Sequence, residues 1–260
     1  MTYRIAFFDI DGTILRPDNT YEESTKTAIH ALQNQDIHVV LATGRPLHEL
    51  DELAAALQVT SFIGYNGSYA SFQQEKIIHE PMQLNITKKL LKAARDHNDE
   101  LLFYTSSTNH FSTLDSKYAK QFMDTFQLRK NGLIEENMLD QVLSVSIVHV
   151  TGSSPAHFEV DPSLRLAPVN TEGIENSYDV ILSQVNKGAA VKQMLEHLNI
   201  PTEAAIAFGD GMNDKEMLET VGTGFAMGNA HPDLKKAAKF ETTSVENNGI
   251  YNGLKQIGLV

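Results

Sequence analysis

The sequence contains no cysteine and no long hydrophobic run. The absence of cysteine excludes disulfides, thiolate nucleophiles and cysteine-ligated metal sites, and it suits a reducing compartment. No apolar run reaches the roughly 18 residues that a membrane-spanning helix needs. The first ten residues lack the basic, apolar and small-residue segments that form a secretory signal in series. We therefore expect a soluble, cytoplasmic protein.

Positive charge is also scarce, because 21 Lys and Arg against 33 Asp and Glu give a net charge of −12 at pH 7. A chain with this balance lacks a broad basic face, so we expect no binding to nucleic acid or to anionic membrane surfaces. A small anionic substrate could still bind if local cations or a metal ion offset the negative charge of the protein. The 42% hydrophobic and 21% charged residues are typical of a soluble globular protein, and 260 residues predict one or two domains.

Apolar runs and amphipathic segments alternate at both ends of the chain. The first strands are predicted at 4–10, 38–41 and 61–65, and Pro46 is placed to open a helix that continues to about residue 57. Near the C-terminus, a helix at 187–198 precedes a strand at 204–208. In the N-terminal part we predict a strand followed by a helix three times over, and short connections of this kind imply a parallel sheet with right-handed crossovers. The fold class is therefore α/β, with a doubly wound parallel-sheet core.

The middle of the chain has a different order of elements. Strands are clearest at 144–151 and 178–183, and turn-forming residues separate several of the other elements. We predict an α+β domain at 82–183 that is inserted into a core formed by 1–81 and 184–260.

Polar residues follow three of the predicted core strands. Asp9 and Asp11 lie at the end of the first strand, Thr43 and Gly44 follow the second, and Asp210 follows the strand at 204–208. Ligands bind at the carboxyl ends of parallel strands. Carboxylates at close range repel each other, and a hard divalent cation such as Mg²⁺ relieves that repulsion with oxygen ligands. Carboxylates beside glycine-rich backbone and a lysine predict a site for phosphoryl groups.

Each of these residues also has an ordinary structural interpretation. Asp9 or Asp11 alone could cap a turn or a helix, although this fits poorly with a second acidic loop after another strand. Thr43 could cap a helix, and Lys187 could be a solvated lysine, although the start of a helix is an unfavourable place for a cation. Asp214 could equally cap the helix that follows it.

Four short motifs resemble those of the haloacid dehalogenase superfamily. Residues 9–13 (DIDGT) resemble its DxDGT signature, and 42–46 (ATGRP) resemble its second motif. Residues 186–188 (NKG) and 209–214 (GDGMND) resemble the third and fourth motifs, in the same order. The insertion between the second and third motifs resembles the cap of the IIB, or Cof-type, phosphatases.

This resemblance implies a Mg²⁺-dependent phosphatase that acts on small phosphorylated metabolites, such as sugar phosphates or phosphorylated cofactors. Asp9 would be the nucleophile that forms an aspartyl phosphate, and Asp11 the general acid and then the base. The metal would be held by Asp9, by the main-chain carbonyl of Asp11 and by Asp210. Asp214 would orient a neighbouring lysine or a metal-bound water. The residues implied at the phosphoryl group are Ile10, Thr43, Gly44, Lys187 and Asn213.

Two alternatives remain open. A phosphomutase on a sugar phosphate would need a cationic cap interior, whereas 82–183 holds nine Lys and Arg against thirteen Asp and Glu. A non-catalytic phosphometabolite-binding protein would be marked by the loss of Asp9 or Asp11, and both are present. Asn66 and Gly67 end the third strand, where they could touch substrate or form an ordinary turn.

Overall fold

The computed structural model describes residues 2–152, 154–169, 171 and 173–260, which contain eight α-helices and fourteen β-strands. The helices are α1 (Glu23–Gln33), α2 (Asp51–Leu57), α3 (Leu84–His97), α4 (Lys117–Phe126), α5 (Lys187–His197), α6 (Lys215–Thr220), α7 (Pro232–Ala237) and α8 (Gly249–Gln256). The strands are β1 (Ile5–Phe8), β2 (His38–Ala42), β3 (Phe62–Gly64), β4 (Tyr69–Phe72), β5 (Glu75–His79), β6 (Glu100–Tyr104), β7 (Asn109–Phe111), β8 (Asn131–Leu133), β9 (Ser144–His149), β10 (Leu164–Pro168), β11 (Tyr178–Leu182), β12 (Ala205–Gly209), β13 (Thr223–Ala226) and β14 (Phe240–Glu241). No helix in the described part of the chain combines the length and the hydrophobicity that crossing a bilayer requires.

The chain forms two compact units. Unit 1 comprises Met1–Arg45, Glu52–Ile78 and Asn186–Val260, and unit 2 comprises Pro46–Asp51 and His79–Val185. The larger sheet has the order β14-β13-β12-β1-β2-β3-β4-β5, and its strands from β14 to β3 pair in parallel. The predicted α/β class with a doubly wound parallel sheet is confirmed.

The central strands of this sheet are apolar on both faces, as strands covered by helices on both sides should be. All four residues of β1 are buried, and so are all five of β12. The rings of Phe8 and Phe208 stack with centroids 5.3 Å apart, which ties the two strands together beside their hydrogen bonds. Since β1, β2 and β12 run parallel, the residues that follow them lie at the same edge of the sheet.

Two local predictions were wrong. No helix follows β3: a turn at Tyr65–Gly67 leads into β4, which pairs with β3 in the antiparallel direction. Pro46 does not open an α-helix either, because it is extended (φ −66°, ψ 126°) and precedes a single 3₁₀ turn. The α-helix begins only at Asp51. The helix α8 near the C-terminus was not predicted.

Unit 2 is built on a second sheet, with the order β10-β11-β9-β6-β7-β8. Its strand pairs are antiparallel except for β7 with β8. Apolar residues of α3 and of the sheet, including Leu90, Phe103, Val145 and Ile147, share one hydrophobic core. Alternating residues on one face of an antiparallel sheet account for such a core.

The short segment Pro46–Asp51 clusters with unit 2, although its neighbours on both sides in the chain belong to unit 1. Glu49 explains this grouping. Its Oε1 accepts hydrogen bonds from Nδ2 of Asn109 at 2.6 Å and from the backbone N–H groups of Arg129 and Lys130 at 2.9 and 3.1 Å. A carboxylate that accepts three hydrogen bonds binds strongly to the elements that donate them.

Candidate active site

Three carboxylates meet at the carboxyl edge of the parallel sheet. Asp9 follows β1 directly, Asp210 follows β12, and Asp214 lies four residues later. An oxygen of each lies within 4.8 Å of an oxygen of the others. Asp9 and Asp214 are buried, at 5% and 0% exposure. Buried carboxylates this close together repel each other unless positive charge offsets them.

Lys187 supplies part of that positive charge. Its Nζ lies 2.5 Å from Oδ1 of Asp9 and 2.6 Å from Oδ1 of Asp214, and its side chain is fully buried. It is the first residue of α5, whose start is capped by Asn186, since Oδ1 of Asn186 accepts the N–H of Ala189 at 2.8 Å. The helix N-terminus disfavours a cation, so the two carboxylates hold the ammonium there.

The ionisation of these groups is strongly perturbed. Burial, and then the charge of Asp214, raise the pKa of Asp9 well above its usual value, and Lys187 offsets only part of this. Burial by itself would lower the pKa of Lys187, but the carboxylates of Asp214 and Asp9 outweigh it and hold that pKa above its usual value. Burial, and then Asp214, raise the pKa of Asp210 to about 6. Three carboxylates against one ammonium leave an excess of negative charge.

Backbone and amide donors shape the Asp210 side of the cluster. Oδ2 of Asp214 accepts the N–H groups of Asp210 and Gly211, both at 3.0 Å, so Asp214 is bound by protein donors on both oxygens. Gly12 has φ +78°, and a Cβ there would lie 2.2 Å from Oδ2 of Asp210. Only glycine permits both this backbone conformation and so close an approach. Nδ2 of Asn229 donates to the Gly12 carbonyl at 2.8 Å and to Asp210 at 3.2 Å.

The donor set fits a hard divalent cation. Lys187 pairs with Oδ1 of Asp9, and among the described residues no ion pair involves the second oxygen of Asp9 or the carboxylate of Asp210. The carboxylate of Asp210 occupies the space that a side chain at residue 12 would fill. Oxygen-only ligands at an excess of negative charge suit Mg²⁺. This acidic cluster agrees with the Mg²⁺ that the resemblance of the four motifs implies.

The carboxylate of Asp11 lies outside this acidic cluster. It forms a two-point ion pair with the guanidinium of Arg45, in which Nε lies 2.8 Å from Oδ2 and Nη2 contacts Oδ1. Nη2 of Arg45 also donates to Oδ1 of Asn19 at 3.0 Å. A forked pair of this kind fixes the position of a carboxylate. A metal role for Asp11 through its main-chain carbonyl stays a prediction.

The remaining predicted residues surround the same edge. Thr43 is buried, its N–H donates to the Ile63 carbonyl at 2.8 Å, and its Oγ1 accepts the N–H of Arg45 at 3.0 Å. Gly44 follows it in the chain. The side chain of Ile10 is fully buried, so only its backbone could face a ligand. Asn213 is exposed.

Sequence reasoning missed two polar residues of this region, Arg45 and Asn229. Each has a signal in the sequence. Arg45 lies within the second motif, and Asn229 follows β13 by three residues. The rule that residues after parallel strands line the site would have included Asn229 had it been applied to every strand.

Comparison with known proteins supports the assignment of a family. The family model of the haloacid dehalogenase-like hydrolases matches residues 6–254. YkrA of Bacillus subtilis (strain 168) is 30% identical over 260 residues, which cover 100% of both chains. The 5-amino-6-(5-phospho-D-ribitylamino)uracil phosphatase YitU of the same organism is 29% identical and covers 98% of this chain and 97% of its own.

Solved structures show the same fold. A hypothetical protein from Geobacillus kaustophilus HTA426 superposes with a TM-score of 0.90 at 29% identity, covering 99% of this chain and 100% of its own. The subclass IIB sugar phosphatase BT4131 superposes with a TM-score of 0.83 at 23% identity, covering 99% of this chain and 100% of its own. With a family model that spans almost the whole sequence, the chain belongs to the haloacid dehalogenase-like hydrolases, the family that its four motifs predicted.

Proposed function

We propose that this protein is a Mg²⁺-dependent phosphatase that hydrolyses small phosphorylated metabolites through an aspartyl-phosphate intermediate. The observation that carries the proposal is the buried pairing of Asp9 and Asp214 with Lys187 beside Asp210. It offers a carboxylate nucleophile and a fixed cation within one negatively charged pocket of side chains. The substrates named for YitU and BT4131 support the class of phosphorylated small molecules.

Asp9 is the nucleophile of the first step. Lys187 holds Oδ1 of Asp9, so we assign the attack on phosphorus to Oδ2. The new bond joins this oxygen to phosphorus and the bond to the leaving oxygen breaks. Asp11, released from its pair with Arg45 and carrying a proton, gives that proton to the leaving oxygen. A carboxylate nucleophile divides a difficult displacement into two easier ones.

Asp11 reverses its role in the second step. Its carboxylate takes a proton from a water molecule, the water oxygen attacks phosphorus, and the bond to Asp9 breaks. Inorganic phosphate leaves and Asp9 is a carboxylate again. The Arg45 guanidinium positions the unprotonated Asp11 carboxylate, which is the form that acts as the base in this step.

The groups that bind the phosphoryl oxygens are the hydroxyl of Thr43, the N–H groups of Ile10 and Gly44, the carboxamide of Asn213 and the ammonium of Lys187. Fixed donors aimed at developing negative charge make the largest contribution to reactions of this kind. When bound by Asp9, Asp210 and the Asp11 carbonyl, Mg²⁺ adds positive charge that offsets the charge of the phosphoryl group.

We further propose that the inserted domain at 82–183 acts as the cap, which selects the substrate and excludes water. A cap of this size favours small phosphorylated molecules over proteins. Nine Lys and Arg against thirteen Asp and Glu in this domain do not favour a mutase that must hold a bisphosphate. The cytoplasmic location stays a prediction.

The first experiment measures phosphate release from a panel of phosphorylated metabolites, with Mg²⁺ and with a chelator. Wild type is compared with Asp9→Asn and with Asp36→Asn, an exposed aspartate in a left-handed turn that asparagine also tolerates. We expect release that needs Mg²⁺, survives in Asp36→Asn and falls about 10³-fold or more in Asp9→Asn.

Two other outcomes would count against the proposal. Activity retained by a folded Asp9→Asn protein would exclude the aspartyl-phosphate mechanism. No release from any compound by a folded, Mg²⁺-loaded wild type would favour the phosphomutase or the phosphometabolite-binding protein. Phosphate exchange within sugar phosphates and direct ligand binding would then separate those two.

A further inference from the structure

The turn that follows β3 has an unusual backbone. Tyr65, Asn66 and Gly67 have φ values of 53°, 55° and 115°, so three successive residues lie in the left-handed region. Residues other than glycine adopt this region rarely, and bulky ones such as tyrosine most rarely. Conformations of this kind persist where the surrounding structure holds them, and they concentrate at functional sites.

Contacts with two of the proposed phosphate-binding segments hold this turn. The N–H of Asn66 donates to the carbonyl of Thr43 at 3.0 Å. A Cβ at Gly67 would lie 2.6 Å from the carbonyl oxygen of Asn186, the residue before the buried lysine. The turn therefore packs directly against the second and the third motif.

The side chain of Asn66 reaches the fourth motif. Its Oδ1 accepts a hydrogen bond from Nδ2 of Asn213 at 3.2 Å. Its carboxamide also lies over Gly44, where a Cβ would be 3.1 Å from both Oδ1 and Nδ2. On the other side, Oδ1 of Asn213 lies against Gly211, 2.5 Å from the position of a Cβ there.

These contacts set the orientation of the Asn213 carboxamide, that is, whether its NH₂ group or its oxygen faces Asn66. A carbonyl oxygen can only accept a hydrogen bond, so Oδ1 of Asn66 selects the orientation in which the NH₂ group of Asn213 faces it. One hydrogen of that NH₂ group is used by Asn66, and the second is left for an anionic oxygen. Without Asn66, the exposed Asn213 side chain could rotate and present its oxygen instead.

We propose that Asn66 is a positioning residue for phosphoryl binding, which acts by fixing the orientation of the Asn213 carboxamide. This rests on the proposed function, which places the phosphoryl group at Asn213. The left-handed turn at 65–67 is the part of the backbone that delivers Asn66 to this place.

The test uses Asn66→Gly, because glycine accepts the left-handed backbone while the side chain with its carboxamide is removed. Inorganic phosphate is the probe, and its dissociation constant is obtained in the presence of Mg²⁺ from the rise in Tm with phosphate concentration. We expect phosphate binding to weaken about tenfold, while Tm without phosphate stays close to that of wild type. The matched control is Asn98→Gly, a left-handed asparagine at the end of α3 in unit 2, which should leave phosphate binding unchanged.

A double-mutant cycle with Asn213→Ala separates positioning from a general structural role. If Asn66 acts through Asn213, the double variant binds phosphate no more weakly than Asn213→Ala alone. The proposal would be overturned if the losses of phosphate affinity in the two single variants multiplied in the double variant. Unchanged phosphate binding by Asn66→Gly would overturn it as well. If the wild-type protein itself binds no phosphate, the phosphoryl site fails, and the role of Asn66 fails with it.

Discussion

The two units bury polar groups in opposite ways. In unit 1, the carboxylates of Asp9, Asp210 and Asp214 face one ammonium, that of Lys187. In unit 2, the carboxylate of Glu49 is surrounded by three N–H donors. The first arrangement leaves charge unbalanced, whereas the second pairs one carboxylate oxygen with three hydrogen-bond donors. Unbalanced buried charge is costly to folding and useful to a bound cation or anion, whereas completed hydrogen bonds only stabilise the fold.

Ionisation reflects the same difference. The pKa of Asp9 is raised by burial and by the charge of Asp214, so the excess of negative charge in the site favours protonation of Asp9. In unit 2 the pKa of His48 is lowered mainly by burial, and its ring is held by a hydrogen bond of 2.9 Å to Oδ1 of Asn109. Perturbed groups that are coupled by charge mark a functional site better than groups perturbed by burial alone.

The largest effect is expected from removing the single cation of the unit 1 cluster. Lys187→Met leaves two buried carboxylates without their partner, and we expect a loss of about 3–5 kcal/mol in the free energy of unfolding. Urea denaturation at pH 7 measures this loss. The control is Lys192→Met on the same helix, whose ammonium is exposed and lies 4.0 Å from Glu196. Equal losses in the two variants would contradict the importance of the buried pair.

A smaller loss should follow when Glu49 is removed from unit 2. Glu49→Ala leaves N–H donors of Asn109, Arg129 and Lys130 without their acceptor, and we expect a loss of about 1–3 kcal/mol. The comparison is Asp51→Ala, which removes only an exposed ion pair with Lys130 at 2.8 Å. This control should cost less than about 1 kcal/mol. A Glu49 variant as stable as the Asp51 variant would show that the completed bonds of unit 2 matter little.

The exposed rim of unit 1 should affect rate more than stability. Arg45→Lys keeps the charge and loses the two-point contact with Asp11, so we expect kcat to fall about tenfold, equivalent to about 1.4 kcal/mol. The change in Tm should be small because both side chains are partly exposed. Arg16→Lys is the control, since Arg16 pairs at 3.2 Å with Glu22. A kcat unchanged in Arg45→Lys would show that Asp11 needs no such partner.

The smallest effect is a pH dependence within unit 2. Because burial lowers the pKa of His48, the unfolded chain takes up a proton at this residue more readily than the folded chain does. His48 therefore contributes stability above its ordinary pKa of about 6.5, and this contribution is lost as pH falls below that value. Amide-exchange protection of β7 should thus fall from pH 7.5 to pH 5.5.

His48→Gln should reduce that fall, because glutamine keeps a donor for Asn109 and does not titrate in this range. His197→Gln, which replaces an exposed histidine, should leave the pH dependence as in wild type. If all three proteins lose protection equally, another group is responsible for the pH dependence.

The sequence was sufficient for the parallel core and for the edge at which polar residues gather. The strands β1, β2 and β12 are visible in the sequence as short apolar runs, and the residue after each strand lies at a known edge. The sequence alone therefore predicts that Asp9, Thr43 and Asp210 lie near one another.

The remainder depends on backbone angles and side-chain directions that no periodicity encodes. The antiparallel turn after β3 needs left-handed angles at Tyr65 and Asn66, two residues that equally occur in other conformations. The grouping of Pro46–Asp51 with unit 2 depends on where one carboxylate, Glu49, finds its donors. Such long-range hydrogen bonds leave no trace in local composition.

The position of β1 in the sheet has a consequence for how the chain folds during its synthesis on the ribosome. β1 lies between β2 and β12, and Ile5 is paired with His38 on one side and with Ala205 on the other. At about 5–20 residues per second, a ribosome needs roughly 10–40 s to travel from the first of these segments to the last. During that time the nascent chain carries an apolar strand, IAFF, with one edge unpaired. All of unit 2 leaves the ribosome before β12 can cover that edge, so unit 2 is free to fold before the sheet of unit 1 is complete.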